Sequence, residues 1–311
     1  MDRQLRLAIE TLLASLDDYE LNDATVVDSR SVGGGSINRA ERAELSDGRS
    51  VFVKSNPAPL PRMFACEIAG LAALHAASDG SGLRIPRPLG YGHEPLPFIV
   101  IEHVESGRPS GDFSARLGRG LAALHRGSAE LHRPAAERGQ RYGFEADNYI
   151  GSTPQENGWS ADWVAFFRER RLGFQLRLAR QNGFGAELSR LGDSLLARLD
   201  ELIGAQDDIA EPACLLHGDL WGGNYLCDDA GQPVLIDPAV YYGRREAELA
   251  MTTLFGGFDR RFYAAYDEAW PCSPGSDERL EIYKLYHLLN HLNLFGGGYL
   301  GSCLTILRRF A

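Results

Sequence analysis

Short runs of apolar residues in the first third of the chain predict a small antiparallel sheet that follows one helix. Leucine and isoleucine recur at helical spacing over residues 3–16, so this segment is expected to form an amphipathic helix. Three strands are expected over 25–54, interrupted by a glycine-rich turn at 33–38. A helix over 61–77 and a buried strand over 96–104 follow. The alternation of strands and turns is typical of an antiparallel sheet.

In the remaining two thirds, the apolar spacing is mainly helical. One apolar stripe begins at Phe113 and ends at Leu124, whereas residues 126–158 are polar and are expected to be irregular. Further helices are expected near 163–170, over 186–204, near 246–254 and over 277–295. The pattern predicts an α+β protein with two lobes. A β-rich amino-terminal lobe is expected over 1–104, and a larger, mainly helical lobe over 105–311.

Three short apolar runs in the middle of the chain lie next to polar residues. These residues are Asp219, Asn224 and Asp237, and the runs predict strand, loop, strand, turn and strand over 214–239. A hairpin of this size brings Asn224 and Asp237 to the same end of a sheet, with Asp219 on the loop before it. Two oxygen donors for a hard cation beside a carboxylate suit metal-assisted phosphoryl transfer.

The spacing of these residues matches the catalytic loop of kinases. His217 and Asp219 form a His-x-Asp pair, and Asn224 follows Asp219 by five residues. Asp237 then ends the next strand, where kinases hold a metal ion. Each short piece occurs by chance, but the ordered combination is specific. We therefore expect a phosphoryl-transfer site of the kinase type.

The sheet predicted in the first third supplies groups that hold nucleotide phosphates in such a site. Its glycine-rich turn lets backbone amides approach phosphate oxygens. The residues of this turn are Gly33, Gly34, Gly35 and Ser36. Lys54 ends the third strand, where a kinase lysine reaches the phosphates. Glu67 lies on the half-buried side of the following helix, where a carboxylate is costly unless paired, so we expect an ion pair with Lys54.

Composition restricts the partners and the compartment. The 311 residues carry a formal net charge of -10, which argues against a broad nucleic-acid surface because such surfaces need basic residues. Five scattered cysteines without a Cys-x-x-Cys pair indicate reduced thiols rather than a disulfide frame or a zinc site. No apolar run is long enough to span a bilayer. We expect a cytoplasmic protein that binds neither nucleic acid nor membrane, of undetermined oligomeric state.

Taken together, the motifs resemble the fructosamine kinase, or ketosamine 3-kinase, family within the aminoglycoside phosphotransferase and protein-kinase-like superfamily. The similarity spans most of residues 30–300 and extends beyond the kinase core. The additional stretches are Tyr142-Gly143-Phe144, Asp147-Asn148, Trp221, Asp237-Pro238-Ala239 and Phe255-Gly256-Gly257-Phe258. The resemblance implies a bilobal protein-kinase-like fold with ATP and Mg²⁺ as cofactors. It also implies phosphorylation of the 3-hydroxyl of a ketosamine, free or protein-bound.

The kinase spacing and the resemblance together assign roles to the polar residues. Asp219 is expected to accept the proton of the attacking hydroxyl group. Asn224 and Asp237 are expected to hold Mg²⁺. Lys54, braced by Glu67, is expected to position the nonreacting phosphates beneath the glycine-rich turn.

The resemblance places the nucleotide base and the substrate around the same site. The backbone of Glu102, His103 and Val104, at the end of the first lobe, is expected to pair with the adenine edge. His217 is expected to orient the catalytic loop through hydrogen bonding. Trp221 is expected either to stack on the substrate or to pack within the fold.

Two other functions remain open at this point. Another small-molecule kinase of the same superfamily would act on an aminoglycoside, choline or a related amine alcohol. A nucleotide-binding pseudokinase is disfavoured because Lys54, Asp219, Asn224 and Asp237 are all present. Protein kinase activity is also disfavoured, because no Ala-Pro-Glu segment follows Asp237.

Overall fold

An antiparallel sheet of five strands organises the first part of the computed structural model, which describes residues 1–16, 21, 23–33, 38–204 and 211–311. The strands are β1 (Val26–Ser31), β2 (Arg39–Leu45), β3 (Ser50–Ser55), β4 (Pro88–Gly92) and β5 (Phe98–Glu102). They are arranged in the order β1-β2-β3-β5-β4, and all neighbours are antiparallel. The three strands predicted over 25–54 are confirmed, whereas β4 was not predicted.

The two faces of this sheet pack against different helices. Helix α1 (Arg3–Ala14) packs on the face formed by Val51, Val53 and Val100. Helix α2 (Met63–Ala77) packs on the opposite face, which includes Ile99 and Ile101. Because side chains alternate along a strand, Lys54 of β3 projects towards α2. The strand period therefore decides which helix can supply a partner for the lysine.

Helices form most of the chain after residue 112. They are α3 (Phe113–Glu137), α4 (Trp163–Phe166), α5 (Phe174–Gln181), α6 (Ala186–Ile203), α7 (Arg245–Thr252), α8 (Arg260–Ala269), α9 (Ser276–Phe295) and α10 (Leu300–Phe310). A π-helical stretch, Phe167–Gly173, joins α4 to α5, and a 3-10 turn, Gly297–Tyr299, precedes α10. Within the described ranges, none of the helices has the length and apolar character needed to cross a membrane.

Short strands pair between these helices. Their bounds are β6 (Asn148–Ile150), β7 (Thr153–Gln155), β8 (Cys214–Leu216), β9 (Tyr225–Cys227), β10 (Pro233–Leu235) and β11 (Tyr241–Gly243). The pairs are β6 with β7, β8 with β11 and β9 with β10, each antiparallel. The predicted strand, loop, strand, turn and strand over 214–239 is confirmed, and β9 with β10 forms the predicted hairpin.

The expectation that residues 126–158 are irregular was wrong in two places. Helix α3 continues to Glu137, and β6 and β7 form a hairpin at the far end of the segment. The polarity of the sequence misled the prediction because two polar residues of α3 are buried and hydrogen-bonded. Ser128 accepts a hydrogen bond from the Leu215 amide at 3.0 Å, and the His132 ring pairs with the Arg141 carbonyl at 3.1 Å.

Backbone hydrogen bonds join the β9–β10 hairpin to the segments that precede β4 and follow β5. The Arg84 amide donates to the Pro233 carbonyl at 2.9 Å, and the Gly107 amide donates to the Cys227 carbonyl at 2.8 Å. The Arg84 side chain also forms ion pairs with Glu102 at 2.6 Å and with Asp228 at 2.9 Å. The end of β5 and the hairpin are therefore held in a defined relation to each other.

Candidate active site

Lys54 lies between two carboxylates contributed by different parts of the chain. Its Nζ atom is 2.7 Å from Oε1 of Glu67 on α2 and 2.5 Å from Oδ1 of Asp237 after β10. Burial alone would lower the pKa of Lys54, but the charges of Glu67 and Asp237 raise it above its usual value. The expected pairing of Lys54 with Glu67 is confirmed, and the lysine also links the sheet to the hairpin.

The loop from His217 to Asn224 folds back closely on the segment after Asp237. Gly218 has a φ of +83°, and a Cβ there would lie 2.0 Å from the Ala239 carbonyl oxygen. Because of both the left-handed backbone and the close approach, only glycine fits at this position. The His217 carbonyl accepts a hydrogen bond from the Ala239 amide at 2.8 Å, which fixes the spacing of the two segments.

The His217 ring is fully buried and bridges the two segments. Its Nε2 atom pairs with the Ile236 carbonyl at 2.8 Å, so Nε2 carries the proton. Burial lowers the pKa of His217, which keeps the imidazole neutral. Its Nδ1 atom can therefore accept the Asp219 amide, which lies 3.4 Å away. A neutral histidine in this tautomer orients the loop. Its Nε2 atom already carries a proton and therefore cannot accept one from a substrate.

Glu248 of α7 is a residue that the sequence interpretation missed. Its carboxylate accepts hydrogen bonds from the backbone amides of His217 and Gly218, the latter at 3.1 Å. The side chain is buried, and every residue of α7 is buried around it. A sequence signal existed, because Glu248 lies among Ala247, Leu249, Ala250 and Met251, where an acid is costly unless it has a partner. Glu246 pairs with Arg279 at 2.7 Å.

Asn224 connects the two aspartates that flank it in space. Its Nδ2 atom lies 2.8 Å from the Asp219 carbonyl, 3.2 Å from Asp219 Oδ2 and 3.4 Å from the Asp237 carbonyl. These three acceptors determine which atom of the amide is nitrogen, so Oδ1 points away from them. The hairpin thus brings Asn224 and Asp237 to the same end, as predicted. By chemistry, the amide oxygen of Asn224 and the carboxylate of Asp237 are the kinds of oxygen donor that suit Mg²⁺.

Asp219 is mostly buried beside other negative charges. Burial is the largest effect that raises its pKa, followed by the charge of Glu248, and together with Asp237 they bring the pKa to about 8. The hydrogen bond from Asn224 acts in the opposite direction. A carboxyl group with a raised pKa in a cleft is a frequent property of catalytic residues.

Asp237 lies at an unusual backbone position immediately after β10. Its φ of +56° is left-handed, a conformation that few residues other than glycine adopt. The hairpin maintains this turn, because the Ile236 amide donates to the Asn224 carbonyl at 3.0 Å. The side chain is 47% exposed, which leaves its carboxylate accessible to solvent.

A buried polar network fixes the segment that follows Asp237. Asn148 donates to the Val240 carbonyl at 2.8 Å, and Gln155 donates to the Ala239 carbonyl at 2.9 Å. Gln155 in turn donates to Asn148 Oδ1 at 2.8 Å. These amides belong to the β6–β7 hairpin, so part of the segment that we expected to be irregular supports the candidate site.

The residues predicted to contact adenine lie at the end of β5. The Glu102 amide donates to the Arg87 carbonyl at 2.8 Å, so it is not available to a ligand. This corrects the expectation for the amide of Glu102. For His103 and Val104, no backbone–backbone hydrogen bond is found within the described part of the chain. Pairing of their backbone groups with adenine stays a prediction.

The other predicted residues differ in how far the structure describes them. Trp221 is 39% exposed, and its ring lies over Gly223, where a Cβ would be 2.4 Å away. Gly33 is exposed at the end of β1. Gly34, Gly35 and Ser36 lie outside the described residues.

Comparison with known proteins shows which family this sequence is similar to. The family model for fructosamine kinase matches residues 9–311. A chloroplastic protein-ribulosamine 3-kinase from Oryza sativa subsp. japonica is 44% identical over 279 residues, covering 89% of this chain and 77% of the relative. The ketosamine-3-kinase of Mus musculus is 34% identical and covers 97% of this chain and 100% of its own length.

Solved structures agree with this similarity. A crystal structure of a candidate fructosamine-3-kinase from Thermobifida fusca YX-ER1 has a TM-score of 0.81 at 32% identity, covering 97% of this chain and 96% of that one. An aminoglycoside phosphotransferase bound to AMP-PNP and hygromycin B has a TM-score of 0.62 at 18% identity, covering 91% of this chain and 94% of that one. The second likeness identifies the fold alone, which is the predicted bilobal protein-kinase-like α+β fold.

Proposed function

Because this chain belongs to the fructosamine kinase family, we propose that it transfers the γ-phosphoryl group of ATP to the 3-hydroxyl of a ketosamine. A ketosamine is a sugar condensed with an amine and rearranged to a ketone, so the reaction would serve the repair of glycated amines. The observation that carries the proposal is the chain of contacts from Lys54 through Asp237 and Asn224 to Asp219.

Asp219 is the general base of the proposed reaction. One oxygen, Oδ2, faces Asn224 at 3.2 Å, which leaves Oδ1 for the hydroxyl group of the sugar. Asp219 accepts the proton of that hydroxyl and aligns its oxygen for in-line attack on the phosphorus. His217 and Glu248 keep the loop in place, so the carboxylate is positioned before the substrate arrives.

Asn224 Oδ1 and the Asp237 carboxylate are the proposed Mg²⁺ ligands. When bound, Mg²⁺ would neutralise charge on the transferring phosphate and lower the pKa of Asp219. Lys54, held by Glu67, would contact the nonreacting phosphates, and the backbone amides of the glycine-rich turn would cover them.

The adenine and the substrate bind at opposite sides of the phosphates in this proposal. The backbone groups of His103 and Val104 pair with the adenine edge, and Glu102 contributes through its ion pair with Arg84 rather than through its amide. Trp221, partly exposed two residues after the base, stacks on the sugar or on the amine-bearing part of the substrate.

We also place the lobe boundary between residues 104 and 105, after the sheet ends and before α3 begins. All five cysteines are free thiols, and we propose a reducing compartment, the cytoplasm, for this chain. The acceptor is a small or protein-bound ketosamine.

The proposal is tested by an ATP-dependent phosphorylation assay on lysine adducts of ribulose, erythrulose and fructose. Hygromycin B and choline serve as alternative acceptors in the same assay. We expect Mg²⁺-dependent transfer to a ketosamine, with the phosphate on O3 by NMR. Transfer only to hygromycin B or choline would replace the proposed acceptor. Nucleotide binding without transfer to any acceptor would support a pseudokinase.

A further inference from the structure

The β6–β7 hairpin contacts the beginning of α2, the helix that carries Glu67. The Tyr149 hydroxyl donates to the Pro61 carbonyl at 2.9 Å, and Cys66 Sγ lies 3.4 Å from the Asp147 carbonyl. Pro61 precedes the cap residue Arg62, two positions before α2 begins at Met63, and Cys66 is the residue before Glu67. The hairpin therefore contacts α2 on both sides of its first turn.

The same hairpin is attached to the segment that follows Asp237. Asn148 and Gln155 donate to the carbonyls of Val240 and Ala239, at 2.8 and 2.9 Å. Helix α2 also lies directly on this segment, because a Cβ on Gly70 would contact Pro238 and Val240 at 3.4 Å. The hairpin, α2 and the Asp237 segment thus form a closed set of contacts.

Buried groups of the helical lobe make the hairpin rigid. Tyr286 of α9 donates to Gln155 Oε1 at 2.7 Å, and Asn157 donates to Asn148 Oδ1 at 2.9 Å. Arg171, from the π-helical stretch, donates to Asn157 Oδ1 at 2.7 Å and to the Glu156 carbonyl at 2.6 Å. Since such a network is costly to break when buried, the hairpin offers α2 a fixed support.

Helix α2 needs an external support at its beginning. Its cap residue, Arg62, has a left-handed φ of 58°, and its side chain makes no capping hydrogen bond. The Met63 amide donates to the Leu60 carbonyl at 3.0 Å, but the cap residue's side chain accepts no hydrogen bond from the first turn, and such a turn frays more easily. Glu67 lies in the second turn, so movement of the first turn would change its distance from Lys54.

We propose that the β6–β7 hairpin is a built-in support that holds α2 where Glu67 meets Lys54, with Tyr149 as its principal positioning residue. The Lys54–Glu67 pair is then assembled before nucleotide binds and needs no activating modification. The relevance of this support to catalysis rests on the proposed function. What the support itself determines is whether the Lys54–Glu67 pair is formed, and this affects nucleotide binding.

The test is a double-mutant cycle with Tyr149→Ala and Glu67→Gln, read as the affinity for Mg²⁺·AMP-PNP by calorimetry. If Tyr149 acts through Glu67, Tyr149→Ala weakens binding about tenfold in the native background and hardly at all in the Glu67→Gln background. Tyr149→Phe, which removes only the hydroxyl hydrogen bond, is expected to give an effect of about threefold. Tyr91→Ala is the matched control, since Tyr91 is an exposed tyrosine on β4.

Equal losses of affinity in both backgrounds would overturn the proposal, because Tyr149 would then act independently of Glu67. An unchanged affinity in correctly folded Tyr149→Ala would overturn it as well. The measurement needs no acceptor, so the cycle can be read even if no ketosamine is phosphorylated. The converse outcome is that the chain phosphorylates a ketosamine while Tyr149→Ala and Glu67→Gln have additive effects on nucleotide affinity. That result would reject only the role of the hairpin as a support and would leave the proposed function intact.

Discussion

The two walls of the candidate site are held by opposite chemistry. On one wall, the loop that carries Asp219 is fixed by a charged group, the buried Glu248 carboxylate. On the other wall, the segment after Asp237 is fixed by the uncharged amides of Asn148 and Gln155. The loop presents backbone N–H donors and needs an acceptor, whereas the segment presents carbonyl acceptors and needs donors.

This difference has an electrostatic consequence for the chemistry. Glu248 places a negative charge near Asp219 and contributes, after burial, to the raised pKa of that carboxyl group. The amides fix the backbone beside Asp237 without adding a charge next to the proposed cation ligand. Each wall is therefore anchored by a group whose charge suits the side chain it supports.

The largest effect is expected when the loop wall loses the carboxylate of Asp219. Asp219→Asn should lower the turnover number about 1,000-fold, because the acceptor hydroxyl loses its base. Nucleotide affinity should change little, since no contact with the proposed phosphate or adenine groups is removed. Steady-state kinetics with a ketosamine acceptor, together with AMP-PNP binding, measures both. Retained turnover would reject Asp219 as the base.

Placing a charge among the uncharged amides that hold the segment after Asp237 should lower the free energy of unfolding. Gln155→Glu removes the donor to the Ala239 carbonyl and buries a carboxylate against it, which should cost about 3 kcal/mol in the free energy of unfolding at neutral pH. Urea denaturation measures the change. Gln140→Glu, at an exposed position, is the control and should alter stability by less than about 0.5 kcal/mol. If both variants were equally stable, charge would not distinguish the two walls.

A smaller effect should appear in the pH dependence of stability. Because the pKa of Asp219 is raised to about 8, the folded protein binds this proton more tightly than the unfolded chain does. The resulting stabilisation is complete below the unfolded pKa of about 4 and is lost as the pH rises through about 8. Relative to Asp219→Asn, the native protein should therefore lose on the order of 2 kcal/mol between pH 6.5 and pH 8.5.

Glu248→Gln sharpens the same measurement. The amide keeps an oxygen acceptor for the loop but removes the negative charge, so the pH-dependent loss should become smaller. Urea unfolding at several pH values, without nucleotide or Mg²⁺, gives the comparison with Asp219→Asn as the reference that cannot titrate at this position. A loss of the same size in Glu248→Gln would contradict the assigned influence of Glu248 on Asp219.

The sequence was sufficient where local spacing carries the structure. The strand period of β3 and the helical period of α2 placed Lys54 and Glu67 on facing sides, and they are 2.7 Å apart. The five-residue step from Asp219 to Asn224 and the length of the hairpin similarly predicted that Asn224 and Asp237 meet. In both cases, the periodicity and the loop lengths in the sequence determine which side chains of the two elements face each other.

Other features depend on contacts that no local pattern encodes. Glu248 is distant in sequence from the loop it anchors, and its role follows only from the packing of α7 against β8. The continuation of α3 was missed because buried Ser128 and His132 look polar in the sequence although tertiary hydrogen bonds satisfy them. Strands β6 and β7 have three residues each, too few for a period to be recognised.

The left-handed backbone at Asp237 restricts which acid can stand there at all. A turn of this kind disfavours most side chains before any chemistry is considered, but aspartate and asparagine tolerate it better than longer residues do. Glutamate would have to overcome the conformational preference and would also reach one methylene farther, past the place where Lys54 meets the carboxylate. Main-chain geometry thus favours the short acid independently of ligand binding. The backbone requirement and the need for a carboxylate are met by the same residue.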